Sequence, residues 1–364
     1  LISKAPVGSF FRGETDQNAA INGTNWVSGG EAYDGWYEQG EDMQDVSVTV
    51  TSPISQVTKI SVSATLQNGS KYATSYSVYG NGTVVVTAKL TPSESAPSQL
   101  GEFGMWMQVP EEFENVSWYG RGPSETYWNR KDGSPIGVYH GTVTEQFVPY
   151  LRLQENGNKT DVRWIALRNN EGEGLMASMT YGDGYSGQPL EAVALHYTPA
   201  SLSTHRSGNR YAWQADAIDD IALRVLNHQK GVGNRTWSDE PIDAVINKTD
   251  TELLEYTYTL MPLSSDTDPM EKSKEILGEL PEIPTITSIG FDDKVVSGFQ
   301  ADVTEYTVAL PTNYEGLPVV TAKGPSTMNI SYEQVSELPG TATVKASYEN
   351  PAIGMNSTVE YKIH

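Results

Sequence analysis

The sequence predicts an all-β protein with two domains, and three observations support this prediction. Segments in which apolar and polar residues alternate with period two recur along the chain, rich in Val, Thr, Tyr and Ser and bounded by Gly, Asn or Pro. Only one segment has a convincing helical pattern. The chain has 364 residues, more than an ordinary single domain, and packing of sheet on sheet is the arrangement that buries so many strands.

The strands of the large first domain are predicted between residues 45 and 263. Four closely spaced segments show the clearest alternation, and seven more follow at longer intervals. The turn 80-GNG joins the third segment to the fourth, because Gly and Asn accept the positive φ of a tight hairpin. The predicted strands are 45–52, 57–67, 72–80, 83–91, 103–109, 115–120, 162–169, 174–181, 190–197, 220–228 and 253–263.

A helix and a linker are predicted to separate the two domains. Asp268 can cap the helix, Pro269 suits its first position, and the two prolines of 281-PEIPT stiffen the connection that follows. Further short strands with regular turns predict a small Ig-like sandwich. These strands are predicted within 285–312 and at 318–324, 328–334, 341–349 and 357–363. The predicted domains are therefore 1–265, the helix and linker 266–284, and 285–364.

Composition excludes several classes of partner and site. A net charge of −22 and a pI near 4.5 disfavour nucleic acid and anionic membranes, whereas neutral sugars are unaffected. The absence of cysteine removes disulfides and thiolate sites, and no apolar run is long enough to span a membrane. We predict no metal or other cofactor in this chain, because its histidines lack ligand spacing. They are His140, His196, His205, His228 and His364. Because the chain opens on Leu1, we expect an excised piece whose signal peptide, if it has one, lies outside it.

Polar and aromatic residues crowd together between residues 115 and 167 in turn-rich sequence. Two interpretations are open: a buried network that holds loops together, or contacts to a ligand. We favour the structural network, since most buried polar groups are paired within the protein. Its predicted members are Arg121, Glu125, Tyr127, Arg130, Glu155, Asn156 and Arg163.

Four motifs carry a resemblance to a known family: WYGRGPSETYWNRK, PYLRLQENGNKTDVRW, ALHYT and HQKGVG-xx-TW. They are similar to the C-terminal small-chain domain of glycoside hydrolase family 2 β-galactosidases, in the same order over about residues 5–263. The resemblance implies a large β-supersandwich of the galactose-mutarotase type, lying against a catalytic (β/α)₈ barrel that carries both catalytic glutamates. It therefore implies no catalytic residue in this chain. Residues 285–364 resemble bacterial Ig-like and cadherin-like modules.

The resemblance also implies a sugar-contacting residue, Trp237, which would project into the mouth of the barrel. An exposed indole stacks well on the C–H face of a sugar ring. Arg12, Asp16 and His228 are weaker candidates for substrate contact. The chain departs from the family pattern at Asn129, where aspartate is usual, at Gly233–Thr236 in place of Gly-Gly-Asp-Asp, and at Glu14 in place of proline. The carboxylates Glu125, Glu145 and Glu155 each stand beside a basic residue, and we predict structural roles for them.

Three functions remain open from the sequence. The first is the non-catalytic end of a retaining β-galactosidase that completes the sugar-binding rim. The second is a free-standing sugar mutarotase, which would use a histidine acid and a carboxylate base. The third is a carbohydrate-binding or adhesion module. The expected partners are a β-galactoside or other glycan and the upstream barrel of the same polypeptide, and the expected location is the surface or exterior of a bacterial cell.

Overall fold

A computed structural model describes residues 1–15, 34–54, 56–180, 187–232, 244–275, 284–292, 294–350 and 355–364. Within these ranges strands dominate, which confirms the all-β prediction. The strands up to residue 263 are β1 (Lys4–Ser9), β2 (Met43–Ile54), β3 (Val57–Leu66), β4 (Lys71–Tyr79), β5 (Val84–Thr91), β6 (Gln99–Leu100), β7 (Glu102–Val109), β8 (Asn115–Arg121), β9 (Ile136–Thr142), β10 (Lys159–Val162), β11 (Trp164–Arg168), β12 (Gly174–Met179), β13 (Leu190–Leu195), β14 (Ile221–Gln229), β15 (Ile246–Asn247) and β16 (Glu255–Leu263).

The C-terminal strands are β17 (Ser288–Phe291), β18 (Lys294–Val295), β19 (Glu305–Tyr306), β20 (Val320–Lys323), β21 (Asn329–Glu333), β22 (Ala342–Asn350) and β23 (Met355–Ile363). Two short α-helices are described, α1 (Thr204–Ser207) and α2 (Pro269–Lys272). Single 3₁₀ turns occur at Asp34–Trp36, Glu111–Phe113, Thr144–Gln146, Ala212–Gln214 and Thr251–Leu253. No helix in the described ranges is long and apolar enough to cross a membrane.

Contacts divide the chain into two compact units. The first contains Leu1–Gln44, Thr65–Tyr72 and Gly82–Gly278, and the second contains Asp45–Ala64, Ala73–Asn81 and Glu279–His364. Most of β2, β3 and β4 thus belongs with the C-terminal strands, because β2 pairs with β23 at Thr51↔Ser357. The alternation pattern of the sequence instead predicts these strands in the first domain. The predicted domain boundaries themselves stay a prediction.

The first unit is built on two antiparallel sheets that share a core. One has the order β1-β7-β14-β13-β10, and the other runs β5-β16-β12-β11-β8-β9. Aromatic side chains of β16 join them: the Tyr256 ring lies 5.6 Å from Phe103, and its hydroxyl donates to Val225 O at 2.7 Å. The central strands β13 and β14 are buried along almost their whole length. A charged residue in either strand must therefore find its partner inside the protein.

The second unit has its own apolar core. Strand β23 pairs with β22 in an antiparallel ladder and with β19 in parallel, and β17 lies between β18 and β20. The core side chains are Ile286, Ile289, Val296, Val320, Ala342, Val344, Ala346, Tyr361 and Ile363. The Ig-like assignment of this unit stays a prediction.

The start of the predicted helix at residue 268 is confirmed. The Asp268 carboxylate accepts from Met270 N at 2.9 Å, and Pro269 occupies the first turn, where its missing N–H costs no hydrogen bond. The helix α2 ends at Lys272 in the described chain. The rest of the predicted helix beyond residue 275, and most of the linker 281-PEIPT, lie outside the described residues.

Candidate functional site

Two of the four predicted sugar contacts can be placed. Arg12 follows β1 and is fully buried, whereas His228 lies near the end of β14 and is half-buried. Trp237 and Asp16 lie outside the described residues. What the structure does show is how the chain on either side of the Trp237 segment is held.

The residues on either side of the segment 233–243 are hydrogen-bonded to each other and form what we call its base, Gly231, Val232 and Ala244. Gly231 N donates to Ala244 O at 2.8 Å, and the Arg12 guanidinium donates to Gly231 O at 3.2 Å through Nη2. Because all three residues are buried, these hydrogen bonds are sheltered from competition with water. The chain therefore enters and leaves the Trp237 segment at a fixed base.

Asn129 holds the next residue of the same base. Its Oδ1 accepts from Val232 N at 3.0 Å, and its Nδ2 donates to Val232 O in a short hydrogen bond. An amide satisfies both backbone groups at once, whereas a carboxylate offers acceptors alone. This pairing gives a physical reason for an amide rather than a carboxylate at position 129.

We expect Asn129→Asp to lower the free energy of unfolding by about 1–2 kcal/mol at pH 7. An ionised carboxylate has no N–H or O–H to donate, so the Val232 carbonyl would lose its hydrogen bond and face a carboxylate oxygen. The measurement is urea unfolding of the purified chain. The control is the exposed Asn170, whose Oδ1 accepts a hydrogen bond from Asn115 Nδ2. A carboxylate can accept the same bond, so Asn170→Asp should change the free energy of unfolding by less than about 0.5 kcal/mol. Equal effects of the two changes would contradict the proposed role of Asn129.

A buried cluster of charges lies beneath this base. The Arg224 guanidinium of β14 donates to Glu102 at 2.7 Å and also pairs, through its other nitrogen, with Glu155. Gln229 Nε2 lies 3.0 Å from Glu102 and 3.2 Å from Glu155, and Ser9 Oγ lies 2.5 Å from Glu102. Two carboxylates thus share one guanidinium and one amide, and all three charged side chains are buried.

The electrostatics of the cluster follow from its burial. Burial raises the pKa of the Glu102 carboxyl above its ordinary value, and the neighbouring Glu155 adds to this while Arg224 opposes it. Burial alone would lower the pKa of the Arg224 guanidinium, but the two carboxylates outweigh it and the pKa is raised. Arg224 is therefore the charge that keeps both glutamates inside the protein.

The same cluster brings two sequence motifs together. Gly13 N donates to Glu155 Oε2 at 3.1 Å, and Glu155 N donates to Glu14 O at 3.2 Å. The Glu14 carboxylate accepts from Ser203 Oγ at 2.8 Å. The 10-FFRGET segment and the 154-QENGN segment are therefore adjacent in the folded chain.

His228 is held by a ring stack and a carboxylate. Its imidazole stacks on Trp128 with centroids 4.6 Å apart and planes 15° apart, and Nδ1 lies 3.4 Å from Glu191 Oε1. Glu191 on β13 is buried, and its other oxygen accepts from Asn158 Nδ2 at 2.7 Å. A carboxylate that holds Nδ1 fixes the orientation of the ring, so that Nε2 is the nitrogen left for a ligand.

Most other members of the predicted polar network have partners within the protein. Arg121 bonds Asp161 at 2.5 Å, Glu125 accepts from Gly157 N at 2.7 Å and from the hydroxyls of Tyr127 and Tyr150, and Arg163 donates to Asp161 O. Asn156 accepts from Val148 N and donates to Gln154 O. The side chain of Arg130 is exposed, although its backbone bridges to Tyr127. Glu145, the third carboxylate of this stretch, accepts from Thr142 N at 2.9 Å.

Glu125, Glu145 and Glu155 each accept a hydrogen bond from a backbone N–H group, which fits the structural roles predicted for them. Within the described ranges, no group of three or more histidine or acidic side chains is close enough to hold a metal ion.

Lys159 is a buried cation that is not among the residues predicted from the sequence. Its Nζ donates to Gly157 O at 3.1 Å and lies 5.1 Å from the Trp118 ring centre. Burial lowers the pKa of Lys159 to about 8, although Glu125 opposes the shift. The buried charges Glu102, Glu191 and Arg224 are likewise not among the residues predicted from the sequence. A single charged residue within an otherwise apolar strand, as in 190-LEAVAL and 221-IALRVL, is the sequence pattern that could have indicated two of them.

The fold and the site define a β-sandwich domain whose buried charges hold its loops in place. The chain belongs to the β-galactosidase small-chain family, because residues 1–260 match the family described as "Beta galactosidase small chain". The β-galactosidase of Priestia megaterium is 35% identical over 235 residues, covering 63% of this chain and 21% of that protein. The β-galactosidase of Lactobacillus delbrueckii subsp. bulgaricus is 30% identical over 240 residues, covering 64% and 21%. The chain thus spans about a fifth of the length of these relatives. Among solved structures, a copper-containing benzylamine oxidase from Hansenula polymorpha matches with a TM-score of 0.28 and 11% sequence identity. The match covers 59% of this chain and 41% of the oxidase, and at this TM-score it supports no inference.

Proposed function

We propose that this chain is the C-terminal, non-catalytic part of a retaining β-galactosidase of glycoside hydrolase family 2. Its activity would be hydrolysis of terminal β-D-galactosides, with both catalytic glutamates on a (β/α)₈ barrel elsewhere in the polypeptide. The observation that carries the proposal is the family match over residues 1–260 in a chain that spans about a fifth of its β-galactosidase relatives. In this proposal the enzyme is secreted or displayed on a bacterial surface, with the Ig-like residues 285–364 as a spacer.

The contribution of this chain would be part of the sugar-binding rim. Trp237 is the proposed stacking residue, with Asp16 and His228 as further contacts. Arg12, which the sequence also predicts as a contact, is fully buried, and its proposed role is to hold the chain beside the Trp237 segment. Two features support this: Arg12 holds the base of the segment that contains Trp237, and Glu191 orients His228. Retaining hydrolysis needs two carboxyl groups about 5–5.5 Å apart, one as nucleophile and one as acid/base. The proposal gives Glu125, Glu145 and Glu155 structural roles instead, because each accepts a hydrogen bond from a backbone N–H group.

The proposal predicts that the purified chain does not hydrolyse a chromogenic β-galactoside. The intact polypeptide that contains it should do so, and Trp237→Ala should then raise KM for galactosides by about tenfold, since one ring stack is lost. Trp237→Phe, which keeps a ring, is the matched control and should retain most of the affinity. Turnover by the isolated chain would contradict the proposal, because a catalytic pair would then lie within it.

A sugar mutarotase is the second candidate, and one observation favours it. His228 has its Nδ1 held by Glu191, an arrangement that suits a histidine acid. His196 is less suited, since Nε2 lies 2.9 Å from Glu114 and Nδ1 lies 3.0 Å from Asp219 O, so both nitrogens are engaged. Polarimetry of α-D-galactose with the purified chain separates the candidates. Acceleration of anomerisation that is lost in His228→Gln would support the mutarotase.

A further inference from the structure

The indole of Trp213, on the surface of the first unit, stacks in parallel on a neighbouring ring and is largely exposed to solvent. Trp213 is 71% exposed, and its ring lies on Tyr211 with centroids 4.4 Å apart and planes 5° apart. Tryptophan is among the most buried side chains on average, so an indole that is both this exposed and stacked in parallel is unusual. One face of the ring rests on Tyr211, which leaves the opposite face for a ligand.

The surrounding backbone makes this surface rigid. Tyr211 forms an isolated β-bridge with Arg152, and Gln214 Oε1 accepts from Tyr211 N at 3.1 Å and from Arg210 N at 3.2 Å. The guanidinium groups of Arg152 and Arg210 lie 5.7 Å and 5.6 Å from the Tyr211 ring centre, within the range of a cation–π contact. The two rings are therefore fixed before a ligand arrives, which lowers the entropic cost of binding.

We propose that Trp213, backed by Tyr211, is a stacking platform for neutral saccharides. The C–H face of a pyranose is apolar and flat, and it matches the open face of an indole, while its hydroxyls need hydrogen-bonding groups at the edge. Exposed polar side chains stand beside the platform: Arg210, Gln214 and Asp216, the last held by Asn209 Nδ2 at 3.0 Å. These supply both donors and acceptors.

The chemistry favours a neutral sugar over other occupants. A net charge of −22 repels anionic glycans, and a platform bordered by charges of both signs lacks the wide apolar core of a dry protein interface. The platform is proposed from the Tyr211–Trp213 stack alone, so it does not depend on the role proposed for Trp237.

The test is titration of the purified, ¹⁵N-labelled chain with lactose, monitored through the indole N–H signals. We expect the Trp213 signal to shift and saturate with a dissociation constant of the order of 1 mM, and Trp213→Ala to weaken binding about tenfold. Trp213→Phe should retain most of the binding. Leu151→Ala is the matched control: Leu151 is 69% exposed but has no ring, so its loss should leave binding intact.

Three outcomes would overturn the proposal. The first is a Trp213 signal that does not move with lactose. The second is an equal shift with galactitol, which has the hydroxyls of galactose but no ring face. The third is binding that survives in Trp213→Ala but disappears in Trp237→Ala or Leu151→Ala. If lactose binding were lost only in Trp237→Ala, the platform proposal would be refuted, whereas the proposed role of Trp237 in the galactosidase rim would be supported.

Discussion

Replacing Arg224 with methionine is expected to lower the free energy of unfolding by about 3–5 kcal/mol at pH 7. Methionine fills similar volume but leaves Glu102 and Glu155 buried without the guanidinium that both use. Urea unfolding of the purified chain measures the loss. Arg130→Met, at an exposed side chain, is the control and should change stability by less than about 0.5 kcal/mol.

The way in which the stability of Arg224→Met changes with pH tests whether the lost free energy is electrostatic. Without Arg224, burial and the neighbouring Glu155 should raise the pKa of the Glu102 carboxyl further in the folded state, because the opposing guanidinium is gone. The folded state would then bind a proton at a pH at which the unfolded chain does not, so the variant should regain stability as the pH falls from 7 towards 5. Adding Glu102→Gln and Glu155→Gln should restore much of the loss at pH 7. A deficit that is independent of pH, and that these changes do not reduce, would show that the lost energy is not electrostatic.

The second large effect is expected at Lys159. Its pKa is lowered by burial from 10.5 to about 8 in the folded chain, so between these values the unfolded state binds a proton that the folded state does not. Stability therefore rises with pH across this window, and below pH 8 the buried charge costs about 3 kcal/mol. Lys159→Met removes the cost. We expect the variant to exceed the parent chain in stability at pH 7 and to lose about 2–3 kcal/mol of that advantage by pH 10.

The comparison uses urea unfolding of both proteins at several pH values. Raised tyrosine pKa values, such as that of Tyr37 at about 12, favour unfolding above pH 10 in both proteins and cancel in the difference. Lys89→Met is the control, because this lysine is exposed on β5 and pairs with Glu255 at the surface. If the free energy of unfolding of Lys159→Met and of the parent chain changed with pH in parallel, the lowered pKa of Lys159 would be refuted as the cause.

Much of the fold could be read from the sequence because its signals are local. Period-two alternation predicts strands such as β5 and β16, and the Asp268–Pro269 pair marks a helix start, since each depends on neighbouring residues alone. Sequence similarity also reached the family, through motifs that stand together in the chain. The grouping of β2–β4 with the C-terminal strands was not predicted. It depends on pairing between Thr51 and Ser357, which no local pattern encodes.

By itself, the sequence determined that this protein is all-β, acidic and free of cysteine, and that it belongs with the small chains of β-galactosidases. Only the tertiary structure decided which charges meet. Glu102, Glu155 and Arg224 lie far apart in the chain, yet they form one buried cluster, and Asn129 reaches Val232 to hold the base of the Trp237 segment. The physical reason is that a strand shows its charge in the sequence, but the partner is set by the register and packing of other strands and loops.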